Sequence, residues 1–232
     1  MPGPPRRVAA RTFRADAAAL PGSRMIGAMP IPSRTAAAAL LLSLEPPSWH
    51  LRHARAVAEI AGWLAARCAA RGVAADRVLV EAAALLHDVD KAIPTSDPAA
   101  ALPHGEGSAA WLTARGMAEL APPVAAHPVT RLLDAEADAW LASASTEELL
   151  VAYADKRAGQ RLESLDARFA GWRRRYPDGW SADDDARART RADVLEATVC
   201  ARAGVAPPAV RRLRWTGRAL RAARRVAMER AA

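Results

Sequence analysis

Along "WHLRHARAVAEIAGWLAARCAARG", His53, Val57, Ile60 and Leu64 recur at offsets of three and four residues and the pattern halts at Gly72. That is the apolar stripe of an amphipathic helix with a glycine stop. A strand repeats every two residues and cannot use this spacing. The residue supply agrees, because the apolar 51% of the chain comes largely from Ala and Leu and only 5% is aromatic. Residues that favour strands are scarce. The chain is therefore expected to be all-α.

The other segments follow the same pattern. "PIPSRTAAAALLLSL" opens a helix soon after Met29, and "AADRVLVEAAALLHDVDK" forms another, with Asp76 near its start. A proline-bearing loop (Pro94, Pro98, Pro103) leads to "HGEGSAAWLTARG", "MAELAPPVAAHPV" and "RLLDAEADAWLAS". "STEELLVAYADKRAGQRLESLDARFAGWRRRYPD" opens with Ser145 or Thr146 and Glu148 close behind, a capping-box signature, and reads as one long or kinked helix. Next, "SADDDARARTRADVLEATVCARAG" places acids in its first turn, as a helix dipole prefers. "APPAVRRLRWTGRALRAARRVAMER" reads as a last helix, with eight arginines from Arg211 to Arg230 against Glu229.

The 232 residues suit one main domain. Its expected limits are 29–178, after a disordered leader at 1–28 and before a basic helical extension at 179–232. Met29 is itself a candidate first residue. The leader carries Arg7, Arg11 and Arg14 among Pro, Gly and Ala but no apolar centre of the kind a secretory signal needs. The longest apolar run, Ala36 to Leu44, falls well short of the roughly 20 residues of a membrane span. Cys68 and Cys200 stand far apart and form no zinc pattern, which favours a reducing, cytoplasmic setting without a disulfide framework. The seven tryptophans, Trp63, Trp111 and Trp140 among them, fall at helical core positions and call for no cofactor.

The net charge of +8 is carried almost wholly by arginine. The only lysines, Lys91 and Lys156, each lie beside acidic residues. The arginines of the last segment offer a salt-dependent surface for nucleic acid. No nucleic-acid motif accompanies them, so the preferred reading is a solvated helix that packs Val210, Leu213, Trp215, Leu220 and Val226 on the domain.

The chemistry-bearing residues are the histidines. There are five, and four of them fall one per segment: His53, then His87 with Asp88, then His104, then His127, with Asp155 following in "LLVAYADKRAG". His50 is assigned to the flank of the first core helix. Imidazoles and carboxylates together suit first-row transition metals. Adjacent residues on a helix point about 100° apart, so His87 and Asp88 can face one pocket only where the helix ends at its wall. A pair of ions in such a pocket activates water and clamps a phosphate for in-line attack.

The ordered set, with "HARAVAEIAGWLA", "AALLHDVDK", "HGEGSAAWL", "VAAHPV" and "VAYADKRAG", resembles the HD superfamily of metal-dependent phosphohydrolases from about Met29 to Trp172. The resemblance implies an HD-domain helical bundle with two divalent transition-metal ions, iron or manganese. His53, His87 and Asp155 would hold one ion, His104 and His127 the other, and Asp88 would bridge them. It also implies a phosphorylated small molecule, a nucleotide, as substrate. Within the superfamily the chain is most similar to bacterial hydrolases that cleave diadenosine tetraphosphate symmetrically. It departs from many members at Val89-Asp90 and in the stretch after Asp155. Asp88 and Lys91 are the expected catalytic residues, with Lys91, Arg157 and Arg161 binding phosphate. Asp90 and Glu106 receive no role. Two other readings share the ligand set: a dinuclear-iron HD oxygenase acting on polyols, and a non-catalytic module that binds nucleotide or nucleic acid.

Overall fold

The computed structural model describes residues 30–177 and 179–231, so the expected leader at 1–28 lies outside the described residues. Among the described residues there are ten α-helices and no β-strand. The first three are α1 (Arg34–Ser43), α2 (Ser48–Ala69) and α3 (Arg77–Leu86). Then come α4 (Glu106–Thr113), α5 (Ala121–Ala125), α6 (Ala137–Ser143) and α7 (Thr146–Lys156). The last three are α8 (Leu165–Arg175), α9 (Ala182–Ala203) and α10 (Thr216–Ala231).

Helix α3 forms the centre. Every residue from Val80 to Leu86 is buried, so beyond its first turn this helix has no solvent face and other helices surround it. Its N-terminus is fixed by Asp76, whose carboxylate accepts from the Val78 and Leu79 amides at 2.8 and 3.0 Å. Helix α2 packs along it and α7 crosses both. Alanines line the contact, among them Ala54, Ala58, Ala61 and Ala65 on α2 and Ala82 to Ala84 on α3. Small side chains let the backbones approach closely. At Gly62 a Cβ would stand 2.8 Å from the Trp215 indole nitrogen and 2.9 Å from a Glu81 carboxylate oxygen. The sequence pattern thus favours helices, and its alanine content determines how near they lie.

The segment from Thr146 to Arg175 is two helices rather than one kinked helix. The expected capping box is present, with Ser145 Oγ accepting from the Glu148 amide at 3.1 Å. Helix α7 stops at Lys156, and Arg157 leaves the helical region with φ −101° and ψ 2°. The loop that follows is held by Glu163 N donating to Arg157 O at 2.7 Å. A new cap, Ser164 Oγ accepting from the Ala167 amide at 3.1 Å, starts α8. Two closed hydrogen-bond sets outweigh the helical propensity of the intervening residues.

The last helix also starts later than the sequence pattern suggests. Residues 210–215 are irregular, with Arg214 at φ +58°, and α10 begins at Thr216. Thr216 is fully buried and donates its hydroxyl to Glu59 of α2, which anchors the helix start. Val210, Trp215 and Leu220 are buried as expected, whereas Leu213 and Val226 remain exposed. Helix α10 lies along α1, and α9 buries Ala188, Ala192, Leu195 and Val199 in the same apolar core as α2 and α7. Cys68 and Cys200 are both free and buried. Among the described residues no helix is long and apolar enough to cross a membrane.

Candidate metal centre

Three helix C-termini meet at one place. His87 is the C-terminal cap of α3 and Asp88 follows it. Asp155 is the penultimate residue of α7, and His127 lies two residues beyond the end of α5. The carbonyl ends of helices carry partial negative charge, so this convergence favours cations. His53 enters from the second turn of α2, one face of which is turned inward by its apolar stripe. His104 arrives on the loop before α4. There Gly105 has φ +86°, and a Cβ on it would come within 2.5 Å of Pro128, next to His127. That close approach couples the two loop histidines and requires glycine.

The side chains converge on Asp88. Its carboxylate lies 3.3 Å from His104 Nε2, 3.3 Å from His127 Nε2, 3.5 Å from His53 Nε2 and 3.6 Å from His87 Nε2. Asp155 Oδ1 is 3.2 Å from His53 Nε2 and 3.9 Å from His87 Nε2. Two sets of donor atoms, His53 with His87 and Asp88, and Asp88 with His104 and His127, each fall within 4.8 Å of one another. Asp88 belongs to both. Five of the six residues are buried, and His104 is the exposed one. Its side chain and that of Lys91 are each 39% exposed, which places the mouth of the pocket between them.

The outer ring nitrogens fix how the imidazoles point. His53 Nδ1 donates to Gly159 O at 2.7 Å, His87 Nδ1 to Ala84 O at 2.8 Å and His127 Nδ1 to Val124 O at 2.6 Å. His104 Nδ1 donates to Asp90 Oδ2 at 2.7 Å. With each Nδ1 carrying the hydrogen, each Nε2 turns a lone pair inward. Yet Nε2 atoms stand 3.1 Å apart in both the His53–His87 and the His104–His127 pairs. Two lone pairs at that distance repel unless a proton or a cation lies between them. Four inward lone pairs and two carboxylates are the donor set of a divalent transition-metal site, and these residues fit one.

The protonation states agree. Burial pushes His87 down to about 3 and lowers His127 as well, so both imidazoles are neutral and free to donate. Burial opposes the Asp88 carboxylate, but the surrounding imidazoles, His87 first, and the Lys91 ammonium hold it well below the usual carboxylate range. Asp155 is held low against burial by His53 and Arg168. His53 is raised: burial opposes its charge, and the hydrogen bond to Asp155 with the charge of Asp88 outweighs burial. Lys91 sits 2.8 Å from both Asp88 oxygens, and that charge keeps it protonated despite burial.

Two expected phosphate ligands are elsewhere. Arg157 is buried with its guanidinium turned from the pocket. It donates to Glu163 O at 2.8 Å, to Glu196 Oε1 at 3.0 Å and to the Tyr153 hydroxyl. Arg157 is a tie between α7, its following loop and α9, made through Nε and Nη1. Arg161 is 82% exposed and its nearest acidic partner is Glu163 at 3.9 Å. Both were expected to grip phosphate from positions two and six after Asp155, but α7 ends at Lys156 and helical spacing no longer sets where they point. Arg157→Ala is expected to lower stability by about 2–3 kcal/mol, because Glu196 is left without its buried partner. Metal content should stay unchanged. Urea unfolding and metal analysis check both.

The structure adds three residues that the sequence left without a role. Asp90 accepts from His104 Nδ1 and from the Gly105 amide at 3.0 Å, so it orients a candidate ligand. Lys156 is fully buried and donates to His127 O at 3.0 Å and Ala152 O at 3.3 Å, fastening the His127 loop to α7. Burial pushes its ammonium down to about 8. Arg168 lies 3.9 Å from Asp155. Position two after Asp88 and one after Asp155 were signals for the first two; nothing in the sequence marks Arg168. His50 is buried and stacked on Trp49, off the ligand set as expected.

No curated protein and no solved structure matches the chain. The family model for the HD domain matches residues 51–198, well over half of the chain, and spans all six of the converging residues. The family is made up mostly of metal-dependent hydrolases, and this chain belongs to the HD-domain family.

Proposed function

We propose that the protein is a metal-dependent phosphohydrolase that cleaves a phosphoester or phosphoanhydride bond in a nucleotide, with dinucleoside polyphosphates among the substrates to be tried first. The observation that carries this reading is Asp88, shared between two groups of inward-facing imidazoles. One carboxylate placed so can bridge two ions, with His53, His87 and Asp155 around one and His104 and His127 around the other. Iron or manganese suits that donor set. Two such ions would supply a water acidified for attack and a clamp on the phosphoryl oxygens.

Charge favours a phosphorylated substrate over a neutral polyol. Two dications against the two carboxylates of Asp88 and Asp155 would leave the pocket positive even before Lys91 and Arg168 are counted. An anion restores balance, and a neutral sugar alcohol does not. Lys91 keeps its proton, so it acts as a phosphate ligand and not as a base. Its ammonium now rests on Asp88, from which it swings about one side-chain length to reach a phosphoryl oxygen at the mouth. Buried free thiols at Cys68 and Cys200 support a reducing, cytoplasmic setting.

The test is a panel of mono-, di- and polyphosphorylated nucleotides incubated with Mn or Fe, with and without dioxygen. Phosphate or nucleotide release in both atmospheres supports the reading, and turnover that needs dioxygen would replace it with an oxygenase. Binding of nucleotides without release would mark a non-catalytic module. Lys91→Ala is expected to lower kcat/KM about tenfold to a hundredfold, the worth of one charge-assisted contact. Metal content should hold or rise, since a competing cation has left Asp88. Steady-state kinetics and metal analysis on the same preparation check this.

A further inference from the structure

Arg168 has a cation's charge and almost none of a cation's usual partners. Its side chain is 14% exposed, and its Nε is buried without a hydrogen-bond partner among the described residues. Its nearest acid is Asp155, with Nη2 3.9 Å from Oδ1, beyond hydrogen-bond reach. The guanidinium lies over the Trp172 ring, 4.8 Å from its centre, so packing on the ring fixes the plane of the fork. Arg157, upstream at the end of α7, by contrast places Nε on Glu163 and Nη1 on Glu196 and Tyr153. A sequestered guanidinium with unmet donors is costly unless a further group completes it. Cations held at Asp155 would deepen that cost by repelling the arginine, unless an anion stood between.

We propose that Arg168 grips a nonbridging phosphoryl oxygen of the substrate at the Asp155 end of the pocket, with Trp172 as the platform that aims it. The inference rests on the phosphohydrolase reading and adds to it a second phosphate-binding cation on α8, besides Lys91. Arg168 thereby takes the part that spacing alone had assigned to Arg157 and Arg161. A planar fork held in place suits two oxygens of one phosphoryl group, or one oxygen on each of two neighbouring groups.

The test uses inorganic phosphate as probe, titrated calorimetrically into the full chain loaded with Mn, for the wild type, Arg168→Gln, Arg168→Lys and Trp172→Leu. Arg168→Gln is expected to weaken phosphate binding about tenfold to a hundredfold while Mn content and helical circular dichroism stay at wild-type values. Arg168→Lys should restore only part, because an ammonium keeps the charge and loses the fork. Trp172→Leu should weaken binding with the arginine still present. For any phosphorylated compound the wild type turns over, KM should rise more than kcat falls. Undiminished phosphate affinity in Arg168→Gln overturns the inference, and so does loss of Mn, which would make Arg168 a support for Asp155. If Arg168→Gln fails to fold, undiminished affinity in Trp172→Leu overturns it. A Mn-loaded wild type that neither binds phosphate nor hydrolyses any member of the nucleotide panel defeats the phosphohydrolase reading itself, whereas a wild type that does both and an indifferent Arg168→Gln defeats the arginine alone.

Discussion

Asp88→Ala is expected to abolish metal uptake at both groups of donors and to cut turnover by more than about a thousandfold, with helix content unchanged. The size follows from the geometry. Asp88 is the one residue whose oxygens lie within 3.6 Å of all four Nε2 atoms, so no other side chain can take its place. Its removal leaves four imidazoles in a pocket with Asp155 as the remaining converging carboxylate, and Lys91 loses its counter-ion. Loss of any single imidazole would still leave one donor group whole. His104→Ala, for example, spares His53, His87 and Asp88, and should retain about half the metal. The fold should survive either change, since α3 is held by the burial of Val80 to Leu86 and by the Asp76 cap at its start, neither of which involves Asp88 or His104. Metal analysis, circular dichroism and rates from one preparation decide the matter, and wild-type turnover in Asp88→Ala would end the proposed mechanism.

The helices and the candidate ligand set were largely legible in the sequence because both are written in local spacing. The stripe of α2, the Asp76 cap and the Ser145–Glu148 box each depend on residues within one or two turns. Six chemistry-bearing residues in a fixed order could be recognised without knowing their distances, and the fold brings all six together. What spacing could not supply was the end of a helix. Residues Arg157 to Glu163 have adequate helical propensity, and only long-range partners such as Glu196, together with the Ser164 cap, decide that α7 stops. Once it stops, a phase count from Asp155 no longer says where an arginine points. Arg157 therefore turns into the core and Arg168, eleven positions further on, comes back beside Asp155. The same limit applied to α10, whose start depends on a buried contact between Thr216 and Glu59. Asp90 was visible but mute, because its work on His104 passes through a loop closed by Gly105 and Pro128.

Metal affinity should fall about tenfold or more for each pH unit below the point at which His53 takes up a proton, so two units of acidification cost at least a hundredfold. The donor set divides sharply in acid strength. His87 lies at about 3, and Asp88 and Asp155 are held well below the usual carboxylate range, so none of these competes with protons near neutrality. His53 is the exception, raised above its ordinary value against burial by Asp155 and Asp88. In the metal-free protein a raised folded-state value means that His53 contributes stability below about pH 6.5, and that this contribution fades as pH rises through its folded value. Metal binding has the opposite sign, because the ion needs the Nε2 lone pair that the proton holds. Free metal at a hundred times its dissociation constant adds about 2.7 kcal/mol to folding, and each pH unit of acidification below the His53 titration removes about 1.4 kcal/mol of that gain. The stabilising effect of Mn on the melting temperature should therefore shrink as pH falls through the folded value of His53 and on below about pH 6.5, where in the metal-free protein the lowered His87 and His127 oppose the His53 contribution. Calorimetry in buffers of differing ionisation heat should record release of about one proton or more per protein on Mn binding near pH 6. Proton-neutral binding with constant affinity across that range would show that His53 does not serve as a ligand, and would leave its bond to Asp155 as a structural ion pair.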